Sequence, residues 1–248
     1  MNRAVILSVV FLLFCWQVNV FGQTPDFTDD MKMVDAYLAS GDVNRALVVL
    51  EDVLIRDPSY LPAQEKKMDI LLKNDREKDA SKDIEEYISM YPTTPQYYYL
   101  RAMLNLQKQK YDKAIADFDK SIQLDMPGGT IYKVYLNRGM AHFSNGDYED
   151  AEADFNEVIA IDSRNAAAYH GKGMVKYEMG QYEDALVEFQ KSLKISPKNP
   201  IAQFNMGMTY FRLDEKEKAC FHFNESCALG YRNACRLLLL ECDIQVPK

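Results

Sequence analysis

Apolar, small and polar positions recur along this chain with a period of 34 residues. The clearest copies span residues 132–165 and 166–199, where the marked positions carry identical residue types 34 residues apart. In the first copy these positions are Tyr135, Gly139, Gly146, Tyr148, Ala151, Phe155 and Ile161. A period of this length indicates one supersecondary unit used repeatedly, because a single unit cannot bury its apolar face alone.

The repeat extends over most of the chain when it is aligned on one small residue. An alanine recurs at this phase, and a large apolar residue stands four positions after each alanine. The pairs are Ala46 and Leu50, Ala80 and Ile84, Ala114 and Phe118, Ala151 and Phe155, Ala185 and Phe189, and Ala219 and Phe223. This spacing predicts crossing helices, since alanine lets two backbones approach and the larger residue fills the neighbouring gap. The predicted frames are 27–60, 61–94, 95–128, 132–165, 166–199 and 200–233.

The period and the large–small–aromatic spacing resemble the tetratricopeptide repeat, whose unit is a helix–turn–helix. The resemblance implies an all-α fold, a right-handed superhelical solenoid of six tetratricopeptide-type helical hairpins. Arrays of this kind share one continuous core and need a capping element at the end. The amphipathic stretch at 234–242 follows the sixth frame and is predicted to be the carboxyl-terminal capping helix.

Residues 1–22 differ from the repeats in composition. Arg3 precedes an apolar run over residues 4–14, and Gly22 offers a small residue at a cleavage position. The run is shorter than the roughly 18–20 apolar residues of a membrane-spanning helix. The sequence therefore predicts a cleaved secretory signal peptide over 1–22. A short uncleaved anchor and a lipoprotein acylated at Cys15 are the alternatives.

Four cysteines follow this segment, all in the last frame and its cap: Cys220, Cys227, Cys235 and Cys242. An even number of cysteines in an exported chain indicates disulfides. Cysteines seven residues apart on one helix have Cα atoms about 10 Å apart, whereas a disulfide needs roughly 4.4–6.8 Å. Because the two helices are predicted to run antiparallel, the expected bridges are Cys227–Cys235 and Cys220–Cys242. This stapled repeat also resembles the cysteine-rich secreted relatives of the repeat class. A four-thiolate zinc site and reduced, packed thiols stay open as alternatives.

Charge and motifs argue against several classes of function. Without residues 1–22, which contain Arg3 as their one charged residue, the chain has 28 Lys and Arg against 37 Asp and Glu, a net charge of −9. An acidic chain without a basic stripe is a poor partner for nucleic acid. Its three histidines fall within the repeat frame, and no phosphate loop, paired-histidine motif or nucleophile elbow occurs. We therefore predict no enzymatic activity, no cofactor and no metal.

The resemblance also implies where a partner would bind. In this family the first helices line a concave groove, and the corresponding positions of the third to sixth frames are mostly methionine and aromatic. They are Tyr99, Met103, Leu106, Leu136, Met140, Phe143, His170, Met174, Tyr177, Phe204, Met208 and Phe211, which we call the Met/aromatic groove. An exposed apolar surface of this kind would suit an amphipathic helix or an extended apolar peptide. Ordinary core packing is the alternative interpretation of the same stripe.

These features predict a non-enzymatic protein–protein interaction scaffold of the bacterial cell envelope. The protein is expected to be exported and to be periplasmic or associated with the outer membrane of a Gram-negative bacterium, with no stable membrane span after signal cleavage. The partner is a protein or peptide whose identity the sequence does not encode. Two alternatives are a regulatory or recruiting subunit of an envelope enzyme or secretion complex, and a self-associating homo-oligomer.

Overall fold

The structure is a computed structural model that describes residues 26–74, 76–127 and 129–242, so the predicted signal peptide lies outside the described residues. Over these ranges the chain forms thirteen α-helices and no strand. The helices are α1 (Thr28–Ala39), α2 (Val43–Arg56), α3 (Leu61–Lys73), α4 (Glu77–Met90), α5 (Pro95–Gln107), α6 (Tyr111–Gln123), α7 (Ile131–Asn145), α8 (Tyr148–Ile161), α9 (Ala166–Glu178), α10 (Tyr182–Ile195), α11 (Pro200–Arg212), α12 (Lys216–Ala228) and α13 (Arg232–Glu241). Every helix in this described part falls short of the length and apolar character needed to cross a bilayer.

The chain divides into two compact units after Arg76. In the first unit α1 packs against α2, and α2 packs against α3. Val34 of α1 and both Ala46 and Leu50 of α2 are fully buried. The division falls inside the predicted second frame, because α3 belongs to the first unit and α4 to the second.

The second unit contains α4 to α13, and each helix packs against the next one along the chain. In addition α5 contacts α7, α7 contacts α9, and α9 contacts α11. Contacts between neighbours in sequence, together with contacts between every second helix, are typical of helical hairpins stacked as repeats. The predicted all-α fold of repeated hairpins with a final capping helix is confirmed.

The repeated alanines and the large residues after them lie on the buried face of the second helix of each frame. All twelve are at most 3% exposed. Phe155, Phe189 and Phe223 lie directly against glycines of the first helices. A Cβ placed on Gly173 would be 2.5 Å from Phe189 Cε1, and one on Gly207 would be 2.6 Å from Phe223. Gly171 accommodates Phe155 of the preceding repeat in the same way, at 2.5 Å. These close approaches explain why glycine stands on the buried side of the first helices.

The turn inside a repeat needs a left-handed residue at one phase. Glycine supplies it at Gly41, Gly146 and Gly180, with φ between +75° and +93°, where glycine carries no steric penalty. The same position is Gln109 in the third repeat (φ 55°) and Asp214 in the sixth (φ 60°). In those two repeats tertiary packing of the hairpin overrides the backbone preference of an L-residue.

Candidate partner-binding site

The Met/aromatic groove residues lie on α5, α7, α9 and α11, the helices that contact one another along the second unit. Tyr99 is buried at 3% exposure and Phe211 is exposed at 42%. The other ten residues are partly exposed. The Met/aromatic groove is therefore neither wholly core nor wholly surface, and most of its side chains are partly buried in the protein and partly exposed to solvent.

The buried side of the groove rests on the phenylalanines of the second helices. The contacts join Leu136, Met140 and Phe143 to the Phe155 cluster, Met174 and Tyr177 to the Phe189 cluster, and Phe204 and Met208 to the Phe223 cluster. Side chains held on a close-packed core have little freedom to rearrange. The phenylalanine clusters therefore fix where the apolar surface of the groove lies.

Four groove residues come together around one cavity between α9 and α11. Its volume is about 210 Å³. The lining residues are Met174, Tyr177, Glu178, Phe189, Phe204, Asn205 and Met208, and we call this space the Met174 cavity. The other eight predicted groove residues lie outside it.

Three lining residues were not among the predicted groove positions. Phe189 was assigned to the hairpin core, which it also occupies at 1% exposure. Glu178 and Asn205 each follow a predicted position by one residue, Tyr177 and Phe204 respectively. Adjacent helix residues point in different directions, so the repeat phase does not predict that Glu178 and Asn205 line the same cavity. The close approach of α9 and α11 brings these two residues together.

A half-buried histidine lies beside the cavity. His170 Nε2 is 2.9 Å from Asn205 Nδ2, and the His170 and Phe189 ring centroids are 5.5 Å apart. Burial lowers the pKa of His170 to about 4, so the ring is neutral at pH 7. A neutral imidazole with its hydrogen on Nδ1 accepts at Nε2, and the Asn205 amide then donates to it. Asn205 Oδ1 keeps its acceptor capacity for another group.

A positive charge lies against one aromatic residue of the cavity. Arg212 Nε donates a hydrogen bond of 3.0 Å to the Tyr177 hydroxyl oxygen. The guanidinium carbon is 5.9 Å from the centroid of the Tyr177 ring, within cation–π range. A second cation brought to this ring would meet repulsion from Arg212.

Both predicted disulfides are present. Cys220 is joined to Cys242, with Cα atoms 5.7 Å apart, and Cys227 is joined to Cys235, with Cα atoms 4.7 Å apart. The bridges tie α12 to α13 at two levels. All four cysteine sulfurs are used in these bridges, as in the predicted pairing.

Comparison with known families gives the same repeat as the geometry. Tetratricopeptide repeat models match residues 37–104, 95–126 and 132–165, and a TPR repeat model matches residues 173–214. The chain belongs to the tetratricopeptide repeat family. A search of the curated proteins finds no match to this tetratricopeptide repeat chain.

Solved structures share the tetratricopeptide repeat fold at low sequence identity. PilW, described as a widely conserved type IV pilus biogenesis factor, is 19% identical with a TM-score of 0.72, over 88% of this chain and 100% of PilW. PilF of Pseudomonas aeruginosa is 13% identical with a TM-score of 0.67, over 86% of this chain and 96% of PilF. YrrB, described as a TPR protein with an unusual peptide-binding site, is 15% identical with a TM-score of 0.56, over 75% of this chain and 96% of YrrB. At these identities the likeness concerns the fold alone.

Proposed function

We propose that this protein is a non-enzymatic scaffold of the cell envelope that binds a partner protein or peptide in the Met/aromatic groove. One observation carries the proposal: Met174, Tyr177, Phe204 and Met208 line a half-open apolar cavity while resting on buried phenylalanine clusters. Binding sites are typically pre-formed, mostly apolar concavities with a few polar groups. Glu178 and Asn205 supply those polar groups here.

Two features support the cell envelope as the location. Disulfides form and persist in oxidising compartments such as the periplasm and are rare in the cytosol, and this chain has two. The sequence also predicts a signal peptide over residues 1–22. The likeness to a pilus biogenesis factor concerns the fold alone, so the bridges and the predicted signal carry this part of the proposal.

The location can be tested on the exported protein. Amino-terminal sequencing by mass spectrometry should find a mature chain that begins at Gln23. A chain that starts at Met1 would refute the signal peptide, and one that starts at an acylated Cys15 would show a lipoprotein instead.

The groove can be tested by crosslinking and pull-down from native cells. The parent chain is compared with Met140→Glu/Met174→Glu, which places carboxylates in two repeats of the groove, and with Val187→Glu as a matched control. Val187 is 48% exposed on α10, outside the groove helices. Circular dichroism establishes that the variants remain folded.

The proposal expects a captured protein that the groove variant loses and the control retains. Retention by the folded groove variant would move the interface to another surface and refute the groove. Capture of a second copy alone, lost in the same variant, would show that the groove serves self-association. An activity that co-purifies with the captured protein and is absent from the isolated chain would indicate a recruiting subunit.

A further inference from the structure

The Met174 cavity has a size and a lining that specify one kind of side chain. We propose that it receives the indole ring of a tryptophan in the partner, with the indole N–H directed to the acceptors at the cavity rim. This inference rests on the proposed function of the groove and adds the chemistry of the group that is recognised.

The volume favours a bicyclic aromatic ring. An apolar protein cavity of about 150 Å³ holds a benzene molecule. The Met174 cavity has about 210 Å³, which leaves space for a second fused ring. A leucine or valine side chain would cover less of the cavity walls and would make fewer dispersion contacts with them.

The walls also favour an aromatic ligand. Tyr177, Phe189 and Phe204 supply aromatic rings, and Met174 and Met208 supply thioethers. Aromatic pairs and sulfur–aromatic contacts each add stabilisation beyond the burial of apolar area. An aliphatic side chain would gain the burial without these additional contacts.

The polar groups distinguish indole from other ligands. The Glu178 carboxylate only accepts hydrogen bonds when ionised, and Asn205 Oδ1 is also an acceptor. Indole carries a donor and no acceptor, so it matches this rim. A cationic side chain matches it less well, because Arg212 already lies on the Tyr177 ring.

The test uses N-acetyl-tryptophanamide as a probe and the methionine methyl groups of the full chain as reporters. The signals of Met174 and Met208 should shift in a saturable manner in ¹H–¹³C spectra, because an aromatic ring stacked on a methyl group changes its chemical shift. For a probe of this size the dissociation constant should be on the order of 0.1–1 mM. The Met140 methyl, which lies in the groove outside this cavity, is the internal control.

Two further probes separate shape from hydrogen bonding. N-acetyl-leucinamide should bind at least about 10-fold more weakly, because it lacks the ring contacts. The 1-methyl derivative of the tryptophan probe lacks the donor and should bind about 2- to 10-fold more weakly. Glu178→Leu should bring the two tryptophan probes closer together in affinity, and Asn205→Leu should do the same if the amide oxygen is the acceptor.

The outcomes separate this inference from the proposed function. Equal affinity for the leucine and tryptophan probes, or no shift of Met174 and Met208, would overturn the inference. If the groove variant still loses its partner in the pull-down, the proposed function stands without it. If the probe binds but the groove variant retains its partner, both the proposed function of the groove and this inference are refuted. The cavity would then bind indole without taking part in partner binding.

Discussion

The contact between Gly173 and Phe189 gives the sharpest test of how the repeats pack. A Cβ added to Gly173 would lie 2.5 Å from Phe189 Cε1 and 2.6 Å from Cδ1, whereas carbon atoms pack best at about 3.5–4.0 Å. Phe189 is 1% exposed, and the Met174 cavity that it lines is the space into which its ring could move. Gly173→Ala must therefore displace the ring or the backbone of α9.

Two opposing contributions decide the size of the effect. Forcing an extra methyl group into a well-packed core costs about 1–3 kcal/mol. Alanine in a helix interior recovers about 0.5–1 kcal/mol relative to glycine. We expect Gly173→Ala to lower the free energy of unfolding by about 1–2 kcal/mol, because the contacts are far shorter than van der Waals distance.

Urea unfolding of the parent and the variants measures this difference. Ala153→Gly, at an exposed position within α8, measures the helix-propensity contribution alone and should cost about 0.5–1 kcal/mol. Phe189→Leu removes the ring. In that background Gly173→Ala should cost at least about 0.5 kcal/mol less, which is the coupling energy expected of residues in contact.

Two results would refute this reasoning. One is a Gly173→Ala variant that is more stable than the parent, because helix propensity would then outweigh the contact. The other is an equal cost of Gly173→Ala with Phe189 and with leucine at that position, because the ring would then not be the obstacle. Phe189 also lines the Met174 cavity, so a displaced ring should change the shifts of the cavity methionines.

Three further predictions concern the cap, the half-buried His170 and a turn. Non-reducing peptide mass spectrometry should find Cys220 linked to Cys242. Replacing both with alanine should cost about 3 kcal/mol in urea unfolding, since the bridge joins residues 22 apart; unchanged stability would contradict this. The contribution of His170 to the free energy of unfolding should be complete above about pH 6.5 and should be lost as the pH decreases towards 4. Burial lowers the pKa of His170 from 6.5 to about 4, so between these values the unfolded chain binds a proton that the folded chain does not bind. His170→Gln should reduce the dependence of the free energy of unfolding on pH in this range. An unchanged dependence would show that His170 is not its source. Gln109→Gly should raise the free energy of unfolding by about 1 kcal/mol, since Gln109 has a φ of 55°, and Gly180→Gln should have the opposite effect; effects of the same sign would contradict the argument.

The fold and the disulfide pairing could be predicted because both follow from spacing along the chain. A buried alanine with a large residue one turn later, repeated every 34 residues or nearly so, specifies a helical hairpin each time. In an antiparallel hairpin that spacing also decides which cysteines can meet. Cys227 and Cys235 flank the turn, and Cys220 and Cys242 lie at the far end of the same two helices. These contacts are local within the last repeat and its cap, so the sequence pattern was sufficient to predict which cysteines would pair.

The Met174 cavity depended on the tertiary structure. Its existence and its seven lining residues depend on the distance between α9 and α11, two helices that are separated in the chain by α10. The repeat phase identified Met174 and Met208 as groove positions, but it could not show that their side chains are half-buried on phenylalanine clusters. Nor could it place Glu178 and Asn205 at the same rim. The sequence by itself determined a tetratricopeptide fold with its two bridges, because short-range spacing controls them. The tertiary structure alone decided where an apolar space opens, because that depends on how closely side chains from different repeats pack.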